Sequence, residues 1–169
     1  IRNMHTPVAQ QIPLDFAPDA RVWVYQCNRA FREKEVIEIK EQLLQFYEQW
    51  ESHGKKVKAW AGIVFNQFIV LMADEKASAL VGGCSIDSSV RIIKSLEKQY
   101  GIQLFDRMSI SFLIEDKVQM LPLQQLKYAS EKGYIDKDTL FFNNAITTKE
   151  ELLHSWLVPI HESWLANRI

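Results

Sequence analysis

From Arg21 onward the apolar pattern of this chain switches repeatedly between a period of two and a period near 3.6, which restricts the fold to strands alternating with helices. Residues 21–27, Arg-Val-Trp-Val-Tyr-Gln-Cys, are β-branched and aromatic and read as a first strand. Over residues 33–52, Val36, Ile39, Leu43, Phe46 and Trp50 recur at steps of three and four, opposite a face of Glu, Gln and Lys. This is an amphipathic helix, with Gly54 expected as its left-handed cap. Its regular spacing is too short for a coiled coil, so it is expected to pack on a sheet. Residues 57–65 and 68–74 form two β-prone runs around Asn66-Gln67, the spacing of a hairpin.

A small-residue stretch over 77–85 leads into a helix carrying Val90, Ile93, Leu96 and Tyr100, with Asp87 or Ser88 expected as N-cap and Gly101 just past its end. Residues 108–114 and 117–121 read as a second hairpin around Glu115-Asp116, followed by a short helix between Pro122 and Gly133. A short aromatic segment at 139–142 follows. Thr148 with Glu151 makes a capping box for a helix bearing Leu153, Trp156, Ile160 and Trp164, which Pro159 would kink or split.

The expected class is α+β: a two-layer α/β sandwich with a mostly antiparallel sheet. Its core would be a ferredoxin-like βαββαβ unit with an extra strand and C-terminal helices. The whole chain, 1–169, reads as a single domain with an extended N-terminal arm at 1–20, an α/β core at 21–121 and a helical extension at 122–169. In that topology the loops after Cys27 and after Asp74 lie at opposite ends of the sheet.

Composition narrows the function classes. At 169 residues, with 47% hydrophobic residues and a net charge of −1, the chain has enough apolar surface for a core and no excess of cationic charge. A nucleic-acid partner is therefore not expected, since that affinity comes largely from clustered Lys and Arg. Lys55, Lys56 and Lys58 near Trp60 form only a small basic knot. The two cysteines, Cys27 and Cys84, are too few for a disulfide framework or a thiolate zinc site, which suggests a reducing cytoplasm. Residues 1–20 lack the apolar core of a signal peptide, and the apolar run 68–73 is too short to cross a bilayer, so no membrane insertion is expected. The chain opens on Ile1, so Met4 is taken as the natural start and Ile1, Arg2 and Asn3 are set aside. His154 and His161 stand seven apart, without the spacing that grips zinc, and no metal or cofactor is expected.

The most unusual segment is Gly82-Gly83-Cys84-Ser85-Ile86-Asp87-Ser88-Ser89. Paired glycines at a helix start leave backbone amides and the positive dipole end open to an anion, or to a cysteine thiolate. One reading is an anion site made of Gly82, Gly83, Ser85, Asp87, Ser88 and Ser89, joined by Arg29 and Arg107. The other is a capped helix behind a turn, with Cys84 as a small apolar group. Arg29 and Asp106 would pair in a salt bridge if the loops after the first strand and before the fourth share an end of the sheet, and Arg107 would then join Arg29 around a carboxylate or phosphate.

The stretches Val22-Trp23-Val24-Tyr25-Gln26, Asn28-Arg29, residues 83–91 and Phe105-Asp106-Arg107 resemble, in this order, a family of short bacterial proteins without an established activity. Those proteins often carry the automatic label "ABC transporter ATPase". The resemblance runs from about residue 14 on and supplies no catalytic residues. The phosphate cradle that the label requires is missing, since the only Gly-Lys pair, Gly54-Lys55, has Gln49 in place of the first glycine and Lys56 in place of the hydroxyl. Residues 70–75, ending in Asp74-Glu75, imitate the acidic strand of such ATPases, and residues 80–84 loosely imitate their signature, but in reversed order. ATP hydrolysis is therefore not expected.

Two functions follow from the residues. The first is a non-catalytic binding or regulatory domain for a small anionic ligand or a protein partner, with a homodimer through Trp156 and Trp164 as one form of partnership. The alternative is a thiol-dependent enzyme with Cys84 as nucleophile.

Overall fold

The computed structural model describes residues 6–169, so the reading of Met4 as the start lies outside the described residues. The arm is not extended throughout: Thr6–Gln11 forms a short helix, α1. After it come β1 (Arg21–Gln26), α2 (Glu33–Glu48) and a small hairpin of β2 (Glu51–Ser52) and β3 (Lys55–Lys56). Gly54 belongs to that hairpin rather than to the end of α2. Both His53 and Gly54 take positive φ, the geometry of a two-residue turn. The helical spacing continues through Trp50 because Trp50 is a core residue just past the helix, its indole N–H donating to the Ser85 carbonyl at 2.9 Å.

β4 (Lys58–Val64) and β5 (Phe68–Asp74) form the expected hairpin, with Phe65 and Asn66 at positive φ, one residue earlier than the sequence suggested. Phe65 tolerates this conformation where its ring packs against Phe142 and Trp156. β1 and β4 flank β5 in an antiparallel sheet of order β1-β5-β4. Every residue of β5 is buried, because both faces of the sheet are covered. Tyr25, Ile69 and Leu71 face Ile39 and Leu43 of α2 and Ile93 and Leu96 of α3 (Gly83–Tyr100). Val22, Phe68, Val70 and Met72 face Val8, Ile12, Phe16, Phe142 and Trp156.

The second sheet has order β7-β6-β8-β9, from β6 (Ser109–Ile114), β7 (Lys117–Pro122), β8 (Leu140–Phe142) and β9 (Leu157–Pro159). The short helix α4 (Leu126–Glu131) and the C-terminal 3-10 turns cover it, burying Leu126, Ile135, Phe141, Ile160 and Leu165. The class is α+β with antiparallel pairing, and helices lie over a sheet; a second sheet is packed behind. The ferredoxin-like strand order stops at three strands. β6 does not pair with β1, because β7 occupies one of its edges and β8 takes the other at Phe112 and Leu113.

The tail departs furthest from the sequence reading. Thr148 caps α5 (Lys149–His154), its hydroxyl accepting the Glu151 N–H, but the helix ends there. Leu157–Pro159 pairs with β8 as an edge strand, a position that accommodates a proline, so Pro159 kinks no helix and the extension is not purely helical. Trp156 is wholly buried and cannot serve as a face for a second copy; Trp164 remains half-exposed. Among the described residues no helix is long and apolar enough to cross a membrane.

Candidate functional site

The glycine segment lies at the start of α3, not ahead of it. Gly82 is the N-cap, in extended conformation, and the Ile86 N–H closes the first turn on its carbonyl at 3.0 Å. Asp87 and Ser88 are therefore inside the helix and do not cap it. The serine hydroxyls turn back onto backbone: Ser88 donates to the Ser85 carbonyl at 2.9 Å, Ser89 to Ile86 at 2.6 Å, and Ser85 to Glu51 at 3.1 Å. Ser85 and Ser89 are buried, while Gly83 and Cys84 are exposed. Among the described residues no side chain caps the tip, so its first N–H groups lack a side-chain acceptor. The nearest group to Gly82 is the ring of His53, 3.4 Å from where a β-carbon would stand.

Arg29 is not part of that tip. Because β1 and β5 are antiparallel, the loops after Cys27 and after Asp74 open at opposite ends of the sheet, and Arg29 sits beside the C-terminal end of α3, near the Tyr100 carbonyl. It grips Glu35 with both guanidinium nitrogens, at 2.7 and 2.9 Å. That hydrogen-bonded pair, helped by the Arg32 N–H at 2.8 Å, holds the Glu35 carboxyl down to about 2. The expected Arg29–Asp106 bridge is thus replaced. Asp106 instead accepts from the Met108 N–H and the Ser109 hydroxyl. The loops do share an end, where the Gln103 N–H donates to the Asn28 side chain at 2.8 Å.

The two cysteines lie at opposite ends of the 18-residue α3, roughly 25 Å apart along its axis, so they form no bridge. Burial pushes the Cys27 thiol up. The carboxylates that imitate an ATPase strand are already engaged. Burial opposes ionisation of Asp74, but the N–H groups of Ala17, Ala77 and Lys76 outweigh it and lower its pKa. Glu75 accepts from the Val81 N–H and pairs with Arg21. Of the basic knot, Lys58 reaches toward Asp15 and lies over the Phe16 ring. Among the described residues no cluster of three or more His, Cys, Asp or Glu is placed to hold a metal.

The cavity lies elsewhere. A cleft of about 620 Å³ opens where a fourth strand would have paired with β1. Its walls are the whole of β1, the segment from Leu104 through Arg107 to the start of β6, and residues 141–147; no residue from Gly82 to Ser89 lines it. Gln26, Ser111 and Asn144 form a hydrogen-bonded floor, and one donor fixes its orientation. The Trp156 indole can only donate, so the Asn144 atom 2.9 Å from it is the carbonyl oxygen. The Asn144 amide nitrogen then donates to the Gln26 Oε1 at 3.0 Å, which also receives the Ser111 hydroxyl. Gln26 Nε2 in turn donates to the Ser109 carbonyl at 3.0 Å. Each of the two amide nitrogens keeps one further N–H that these bonds do not use. At the rim, Arg107 is exposed and has no partner among the described residues, and Phe105 packs edge-on against Tyr25 with centroids 5.5 Å apart.

Of the residues singled out in the sequence for a site, only Arg107 lines this cleft. Gln26, Ser111 and Asn144 were missed because they come together from positions 85 and 118 residues apart. The one local hint was Gln26 itself, a polar residue following the apolar run from Val22 to Tyr25. No family model, curated protein or solved structure matches this chain.

Proposed function

We propose that this chain is a non-catalytic binding domain and that the cleft beside β1 receives its ligand, a molecule or chain segment bearing an anionic or carbonyl acceptor. The observation that carries this reading is the amide floor. The Trp156 donor orients Asn144 and Gln26, each of which keeps a spare N–H, and Arg107, without a partner among the described residues, lines the same cleft. A donor-rich wall selects acceptors, and Asp106 at the same rim is turned onto the Met108 N–H and the Ser109 hydroxyl. At about 620 Å³ the cleft falls within the range of roughly 300–1,000 Å³ typical of small-molecule sites. ATP hydrolysis does not belong to this reading, because Asp74 and Glu75 are tied to backbone N–H groups. A reducing, cytoplasmic setting suits two cysteines held too far apart to bridge.

The test is a titration of isotope-labelled protein with acetate, succinate and N-acetylated amino acids, followed by amide shifts. Shifts centred on the Gln26 and Asn144 side chains, lost in Arg107→Ala, support the cleft. Shifts centred on Gly83 to Ser85, or none in the cleft with any of these carboxylates or with acidic peptides, overturn it.

A second reading, thiol chemistry at Cys84, has one observation in its favour: Cys84 is exposed in the first turn of α3, next to uncapped amides. Iodoacetamide titration of the folded protein decides it. Rapid alkylation of Cys84 well below pH 8 keeps this reading; alkylation only at the pH of an ordinary thiol removes it. Cys27 serves as the internal control, protected until the protein unfolds.

A further inference from the structure

Resting on the cleft as the binding site, we propose that its occupant is an extended polypeptide segment that adds a strand to the free edge of β1. Residues of β1 alternate between two edges. The Cys27 N–H donates to the Gln67 carbonyl at 2.8 Å on the β5 side, and Trp23 and Tyr25 share that phase. The Val22 N–H points the other way and donates to the Thr147 carbonyl at 2.9 Å. Val24 and Gln26 share the phase of Val22, so their main-chain N–H and C=O groups turn from β5 toward the cleft. Between Val22 and Asn28, whose N–H donates to the Gln103 carbonyl at 3.1 Å, no backbone group among the described residues pairs with this edge, so Val24 and Gln26 are its open positions.

An open edge is normally blunted by charge, proline or a bulge. From Val22 to Gln26 the strand reads Val-Trp-Val-Tyr-Gln and has none of these. Its protection comes from recession between the two sheets, which keeps the edge competent to pair with a chain that enters. Strand addition takes affinity from such main-chain bonds and specificity from alternate side chains. The cleft supplies both parts of that chemistry. An apolar residue of the segment meets Tyr25, Leu104 and Phe105, and an acidic one comes within reach of Arg107, while the spare N–H groups of Gln26 and Asn144 donate to further carbonyls.

A phage-displayed random decapeptide library panned against the full chain supplies the probe. Selected sequences should alternate apolar residues with at least one acidic residue. In the synthetic peptide, N-methylation at alternate amides should weaken binding about tenfold or more, and at the interleaved amides less than about twofold. On peptide addition, hydrogen exchange at the Val24 N–H should slow about tenfold or more, a readout on the unaltered protein. Val24→Pro removes that outward donor without touching the ladder to β5, and should weaken binding of the selected peptide about tenfold or more. Peptides that bind with equal tolerance of N-methylation at every position, or that leave Val24 exchange unchanged, overturn strand addition while the cleft stands. Strand addition is likewise overturned if acetate or N-acetylated amino acids shift Gln26 and Asn144 but no decapeptide is enriched. If neither peptides nor carboxylates shift any cleft residue, both readings fall.

Discussion

The tip of α3 and the cleft beside β1 both present unpaired hydrogen-bond donors, but only the cleft has walls. At the tip the donors are consecutive amides of the first turn, beside an exposed Cys84. In the cleft they are side-chain amides whose rotation is settled by a buried indole, flanked by a strand edge and an arginine. Water competes on equal terms at an open helix end, whereas a recessed site lowers that competition and gives a ligand apolar surface to cover. Availability of donors is therefore a poor guide to a site unless something also excludes water.

The comparison is broken most severely at Trp156. It is wholly buried against Phe65, Phe68 and Phe142, so Trp156→Ala should cost about 3–5 kcal/mol in urea unfolding through the cavity it leaves. Trp156→Phe separates packing from orientation. It keeps most of the ring volume but removes the donor that fixes Asn144, costing about 1–3 kcal/mol and freeing the Asn144 and Gln26 amides to rotate. Carboxylate or peptide binding should then fall even at temperatures where the variant is fully folded. Undiminished binding by folded Trp156→Phe would mean the amide floor plays no part in recognition.

How much of this was legible in the sequence follows the range of the interaction. Local chemistry was readable: the Glu115-Asp116 turn, the left-handed Gly101 and the Thr148 cap stand where residue type places them. Errors came where one pattern serves two structures. Trp50 continued a helical period although it is a core residue beyond α2, and Leu153, Trp156 and Ile160 kept helical spacing across a helix end, a strand and a 3-10 turn. Strands of three residues are too short to display a period of two, so β8 showed only as a short aromatic segment and β9 was hidden in a helical spacing. The floor of the cleft was illegible for the same reason. Nothing local marks Ser111 or Asn144 as partners of Gln26, because the two sheets must form before the residues meet.

A second comparison, between the starts of the two long helices, carries a smaller effect. α2 opens on a closed arrangement in which Glu35 reaches back to the Arg32 N–H and is clamped by Arg29; α3 opens bare. Glu35 is held at about 2 when folded, below the ordinary carboxyl value of 4.5. A depressed carboxyl contributes stability that is present above its unfolded value and disappears as pH falls through the folded one. The clamp should thus be lost between about pH 4.5 and 2. Because the Arg29 side chain is a third exposed, the contribution is about 2 kcal/mol, less than the full shift implies. Glu35→Gln should lose that amount at neutral pH and show a flatter acid limb in thermal melts. An acid limb as steep as that of the unaltered protein would assign the pH dependence to other carboxylates.

The smallest effect is expected at the bare tip. Gly82 already has the extended backbone of an N-cap at φ −93°, and a β-carbon there meets only the His53 ring, at an ordinary contact distance of 3.4 Å. Gly82→Asp places a carboxylate over the first amides and against the positive end of α3. An aspartate cap exceeds glycine by only a few tenths of a kcal/mol, and the helix dipole adds a similar amount, so the gain should be about 0.5 kcal/mol. For a chain of this length that is a rise of roughly 1–2 °C in the melting temperature. The same substitution distinguishes the two regions functionally, since an internal carboxylate satisfies the very donors an external anion would need. If ligand binds in the cleft, Gly82→Asp is slightly more stable and binds as before; if binding is lost while stability rises, the anion sits at the helix end and the cleft is only a seam between sheets.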